Sequence, residues 1–109
     1  MKRIDILGTG YEYSENTSAA DPALSSKNGY CDWTSKKIVV DSEITTREAH
    51  TDALENTAEL KRNTKRHEII HAFFAESGLM DYCHNEQIVA WIASQFPKMV
   101  VAFNEVGAL

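Results

Sequence analysis

The apolar pattern of this chain changes period once, near residue 41, and that single change limits the folds open to it. Before it, Ile4 and Ile6 alternate with polar neighbours, and Tyr11 and Tyr13 do so after the Gly8-Thr9-Gly10 break. Asn16 to Gly29, rich in Ser, Asn, Ala and Asp, reads as a loop, a mobile one. Two more strands follow: Tyr30 to Trp33, then Lys36 to Asp41 around Ile38-Val39-Val40, with a turn near Thr34-Ser35. Three or four short strands make an antiparallel or mixed sheet that needs a helix on one face.

From about Thr46 the spacing becomes helical. Ala53, Leu54, Ala58 and Leu60 form a weak stripe, and Asn63-Thr64 offers a break and a new N-cap. The strongest helical segment runs from Lys65 to Ser77, with Gly78 where a left-handed cap residue belongs. Met80 to His84 is a short connection. Asn85 caps the next helix, and Glu86 sits in its first turn, where the helix dipole favours a carboxylate. Ile88, Trp91, Ile92, Gln95, Phe96 and Met99 mark one face of that helix. Pro97 either kinks it or starts another. Strands first and helices after them is an α+β arrangement.

With 109 residues, the chain has room for one domain, 1–109. No apolar run reaches the roughly 18 residues of a membrane helix. The net charge of −5, without a basic block, argues against nucleic-acid partners. Lys2-Arg3 is followed by Ile4 and Asp5 rather than by the apolar core of a signal peptide. Two cysteines, Cys31 and Cys83, are too few for a disulfide scaffold and fit a reducing cytoplasm.

Inside the strongest helical segment lies His67-Glu68-Ile69-Ile70-His71. Histidines at i and i+4 stack on one helix face, so both imidazoles reach one zinc ion while the helix stays regular. Glu68, about 100° round the helix, is placed to meet a water on that metal and act as general base. A shuffle of a chain with 4 histidines gives this pattern about once in a hundred times, so context carries weight. The context agrees, because Ile69, Ile70, Phe73 and Phe74 make the other faces apolar.

A catalytic zinc needs a third protein ligand and an open position. The extended metzincin pattern would need Gly at 74 and His at 77, but Phe74 and Ser77 stand there. Glu76 lies about 140° off the ligand face and reads as solvent-facing. Asp81, Cys83, His84 and Glu86 remain. Glu86 is preferred, because its stripe continues through the small Ala90 and Ala93 toward Ala72 and Ala75, which permits close helix packing. His84 becomes the ligand instead if the helix starts near Asp81. Otherwise His84 or Tyr82 offers an oxyanion donor, with Tyr11 and Tyr13 as weaker candidates. Cys83 reads as a small buried hydrophobe, Trp33 and Trp91 as core anchors, and His50 as a surface residue. The strand Lys36 to Asp41 reads equally as a central strand or as the edge along which a peptide lies.

Arg66-His67-Glu68-Ile69-Ile70-His71-Ala72, Glu86, the Val89-Ala90-Trp91-Ile92-Ala93 stretch and Pro97 together resemble the small zincin-type metallopeptidases of phages and mobile elements. More distantly they are similar to the ImmA/IrrE peptidases, in which a glutamate opening the next helix is the third zinc ligand. The resemblance covers Arg66 to Pro97. It departs at Ser94-Gln95-Phe96-Pro97, where that family carries an apolar Leu-Leu-Met-Pro-like run. It implies a minimal zincin fold, a phage or prophage origin in a bacterial cytoplasm, and hydrolysis of a protein or peptide substrate. The rival expectation is a non-catalytic zinc-containing phage accessory or binding protein on the same scaffold.

Overall fold

A computed structural model describes residues 1–44 and 56–109. Four strands, β1 (Lys2–Ile6), β2 (Thr9–Asn16), β3 (Gly29–Asp32) and β4 (Lys37–Asp41), precede three helices, α1 (Thr57–Glu76), α2 (Met80–Cys83) and α3 (Glu86–Glu105). The α+β order is the one the change of period implies. The sheet is mixed, in the order β1-β2-β4-β3. Two antiparallel hairpins, β1–β2 and β3–β4, meet along a parallel seam between β2 and β4.

The first hairpin turns through Leu7 and Gly8, since Ile6 pairs with Thr9. Both central residues have positive φ, 51° and 90°. That is the twist a two-residue hairpin needs, and glycine adopts it far more easily than leucine.

Ile38 and Val40 point to one face of β4 and are fully buried with Ile6, Tyr11, Ile44 and Ala72 of α1. Val39 points to the opposite face. It lies across the ladder from Tyr30, whose hydroxyl donates to Asp21. Asp21 also caps a short 3₁₀ turn, Pro22–Ser25, which buries Leu24. The loop expected to be mobile therefore holds a short 3₁₀ turn with a buried leucine, tied to β3 by the Tyr30–Asp21 hydrogen bond. The strand Lys37–Asp41 is interior, and the edge strand on that side is β3.

Asn56 caps α1 by accepting from the Glu59 N–H. The break expected at Asn63-Thr64 does not occur. The Thr64 hydroxyl donates to the Leu60 carbonyl, and Asn63 reaches Ser94 on α3, so both side chains are satisfied within a continuous helix. Of the stripe before it, Ala53 and Leu54 lie outside the described residues, as does His50. The C-terminus of α1 closes as a Schellman turn, with the Leu79 N–H on the Phe74 carbonyl and the Gly78 N–H on Ala75 at a Gly78 φ of 74°. The connection that follows is itself one helical turn, α2.

Of the two expectations for Pro97, the start of a new helix does not occur; it lies inside α3. Lacking an N–H, it leaves the Ala93 carbonyl without its helical donor, and Arg66 Nε of α1 supplies one at 2.7 Å. The buried face of α3 is Val89 and Ala93. The stripe through Ile88, Trp91 and Phe96 is exposed, with Trp91 at 59%, so Trp91 is not a core anchor. No helix among the described residues is long and apolar enough to cross a membrane.

Candidate metal centre

α1 presents His67 and His71 on consecutive turns, and the start of α3 brings Glu86 across them. Asn85 fixes that start, accepting from the Ile88 N–H at 3.1 Å. The two Nε2 atoms are 3.2 Å apart. Glu86 places Oε2 at 2.9 Å from His67 Nε2 and Oε1 at 3.0 Å from His71 Nε2. These three residues offer ligand atoms within 4.8 Å of one another.

The tautomer of His71 is set from behind. Its Nδ1 donates to the Cys83 carbonyl at 2.6 Å, which leaves the Nε2 lone pair facing the cluster. That carbonyl is free to accept because α2 ends there. Burial holds the His71 imidazole below its ordinary value, against the pull of Glu86. The contact with Glu86 is thus between a largely neutral ring and a carboxylate, not a full ion pair. Two nitrogens and a carboxylate converge where one proton can bridge only two of them.

This donor set fits a metal ion. Two nitrogens at zinc distance in a tetrahedral site stand about 3.3 Å apart, close to what is seen here. The His₂Glu combination is that of catalytic rather than structural zinc sites.

Glu68 points toward the sheet and is 7% exposed. Burial pushes its carboxyl up to about 7, the charge of Glu86 adds to the rise, and Lys27 opposes it. The close approach depends on Gly29, whose φ is ordinary but whose missing side chain matters. A Cβ there would stand 3.0 Å from the Val39 carbonyl oxygen, 3.1 Å from Thr64 Cγ2 and 3.4 Å from Glu68 Cγ. Cys31, two residues along the same strand face, lies near enough to Glu68 that burial and then the carboxylate push its thiol up to about 12. Neither residue was read from the sequence as part of the site. The signal available was a glycine entering a strand, which marks close approach of another backbone or helix.

A cleft of about 630 Å³ joins these groups, with β3 and the loop before it on one side and α1 and α3 on the other. His84 lines it but lies outside the three-residue ligand group. Tyr82 is stacked on Phe74 and does not line the cleft. Tyr11 and Tyr13 donate to Glu76 and Glu15, so their hydroxyls are committed elsewhere. Glu76 is not solvent-facing, since it accepts from Tyr11 at 2.7 Å and Lys36 at 2.6 Å. Asp81 is exposed and outside the ligand group. Cys83 is buried, its Sγ 3.4 Å from the His71 carbonyl oxygen, as a small core residue would be. Trp33, 38% exposed, lines the cleft instead of anchoring the core.

Comparison with family models, curated proteins and solved structures finds no match to this chain.

Proposed function

We propose that this chain is a zinc-dependent peptidase, with His67, His71 and Glu86 holding the metal and Glu68 as general base. The observation that carries the proposal is the convergence of two histidine Nε2 atoms and a carboxylate beside a buried glutamate in an open cleft. The bound metal would supply a Lewis acid for polarising a carbonyl and activating water. Glu68 accepts the proton of the attacking water on its carboxylate and returns it to the leaving amine. Burial, which favours the protonated form of Glu68, helps it hold that proton between the two halves of the exchange. His84, at the cleft wall, is a candidate for donating to a developing oxyanion. An extended peptide fits as an added strand along β3, the edge strand beside the cleft. This replaces the expectation that β4 provides that edge.

The test pairs elemental analysis with cleavage of a peptide library. The wild-type chain, purified from zinc-replete medium, should carry one zinc and cleave a subset of peptides. Glu68→Gln should keep the zinc and lose at least about a hundredfold in rate, the usual weight of general acid–base catalysis. His67→Ala should lose both. A zinc-loaded wild type that cleaves nothing would favour the non-catalytic binding protein, and a wild type without zinc would sink both readings.

A further inference from the structure

α3 carries an apolar stripe that the described residues cover only in part: Ile92 and Met99 are half-buried, whereas Phe96, Phe103 and Val106 are exposed. At about 100° per residue, Ile92, Met99 and Val106 lie within about 40° of one another. Gln95 and Ala102 border them on one side, and Phe96 and Phe103 on the other. α1 packs against the neighbouring strip instead, through Val89 and Ala93. Phe96 is 46% and Phe103 37% exposed, and every residue from Val101 to Leu109 is exposed. Beside Phe96 the stripe opens into a hollow of about 430 Å³ between the two helices, walled by Arg66, Ile69, Ile70, Phe73, Ile92 and Phe96. Glu86, Ala90 and Ser94, which line the cleft, occupy a different side of α3.

The charges beside the stripe indicate what covers it. Lys98 and Glu105 lie two turns apart on the Gln95–Ala102 flank, and neither has an ion-pair partner among the described residues. In an antiparallel pair of identical helices, a twofold axis brings each flank against the same flank of the other copy. With Met99 facing the second copy's Ala102, Gln95 faces Val106, Lys98 meets Glu105, and Phe103 comes over Phe96 at the mouth of the hollow. Large meets small, cation meets anion and ring meets ring, each twice by symmetry. A parallel pairing would instead set the charged flank against the aromatic one.

We propose that two copies of this chain associate through the Gln95–Val106 stretch in antiparallel fashion, with Phe103 of each copy packing at the hollow beside Phe96 of the other. The partner is a second copy of the chain, and the metal-binding cleft stays open on another face.

Sedimentation equilibrium over a concentration series tests this. The 12.2 kDa chain should rise to twice that mass with increasing concentration. Lys98→Glu and Glu105→Lys should each weaken association roughly tenfold, because each turns two rim attractions into repulsions. The double variant Lys98→Glu/Glu105→Lys should return to within about twofold of wild type. Both residues are exposed, and circular dichroism checks that each variant is folded. A chain that stays monomeric at every concentration overturns the proposal. So does a dimer indifferent to the single reversals, or one that the double reversal fails to restore.

Discussion

Leu7 holds a φ of 51° at the tip of the first hairpin, with its side chain mostly in water. A leucine there keeps the strain of the left-handed region and gains little burial in return. Leu7→Asn should therefore raise stability by about 1 kcal/mol, seen as a higher urea midpoint with an unchanged slope. Glu15 makes the opposite contribution, tying β2 to α1 through Lys61 at 2.6 Å and Lys65 at 3.3 Å. Burial alone would raise its carboxyl, but hydrogen bonds from Lys61, Tyr13 and Lys65 prevail and hold it at about 2. Its folded value lies below the unfolded value of 4.5, so its contribution is complete above about 4.5. That contribution fades as pH falls toward 2. Glu15→Gln should flatten this part of a stability-against-pH curve and leave the curve above about 5 nearly parallel to wild type.

At the scale of the element, Pro97 and Arg66 form one unit. The proline removes a donor from α3, and the guanidinium of α1 restores it at the Ala93 carbonyl. Arg66→Ala should cost about 1–3 kcal/mol, the penalty of an unsatisfied buried acceptor. In a Pro97→Ala background the cost should shrink to well under half, because the new N–H reaches Ala93 itself. Chemical denaturation of the four proteins closes that cycle, and equal costs in both backgrounds would refute the coupling. This pairing also marks where sequence reading stops. The strands, the Asn85 cap, Gly78 and the two stacked histidines are local, and local spacing sufficed for them. The kinship of Pro97 with Arg66, 31 positions earlier, is a tertiary fact. So is the pairing of Glu76, which accepts from a tyrosine of β2 and a lysine of the β3–β4 turn. The apolar stripe of α3 was legible as a stripe, yet periodicity could not say that α1 would pack beside it rather than on it. Glu86 could be narrowed from sequence because a cap and a helix start are local; the role of Gly29 beneath Glu68 could not.

At the scale of the whole molecule, the sheet is two hairpins joined along one parallel seam, and that has a consequence in time. Each hairpin closes locally, over two and four residues, but the seam pairs Glu12 with Lys37 across 25 positions. Bringing such distant segments together is the slow, entropically costly event, so the rate-limiting ensemble should already contain β2 beside β4. Leu24 belongs to the stretch that loops between them and is fully buried in a 3₁₀ turn outside the sheet's ladders. Leu24→Ala should thus leave the refolding arm of a chevron nearly unmoved and put its loss of about 2–5 kcal/mol into faster unfolding. Val40→Ala, in the seam strand, should slow refolding instead. The loop that buries Leu24 would then act as a latch, shut last and opened first, setting how long each molecule stays folded and not how quickly it folds.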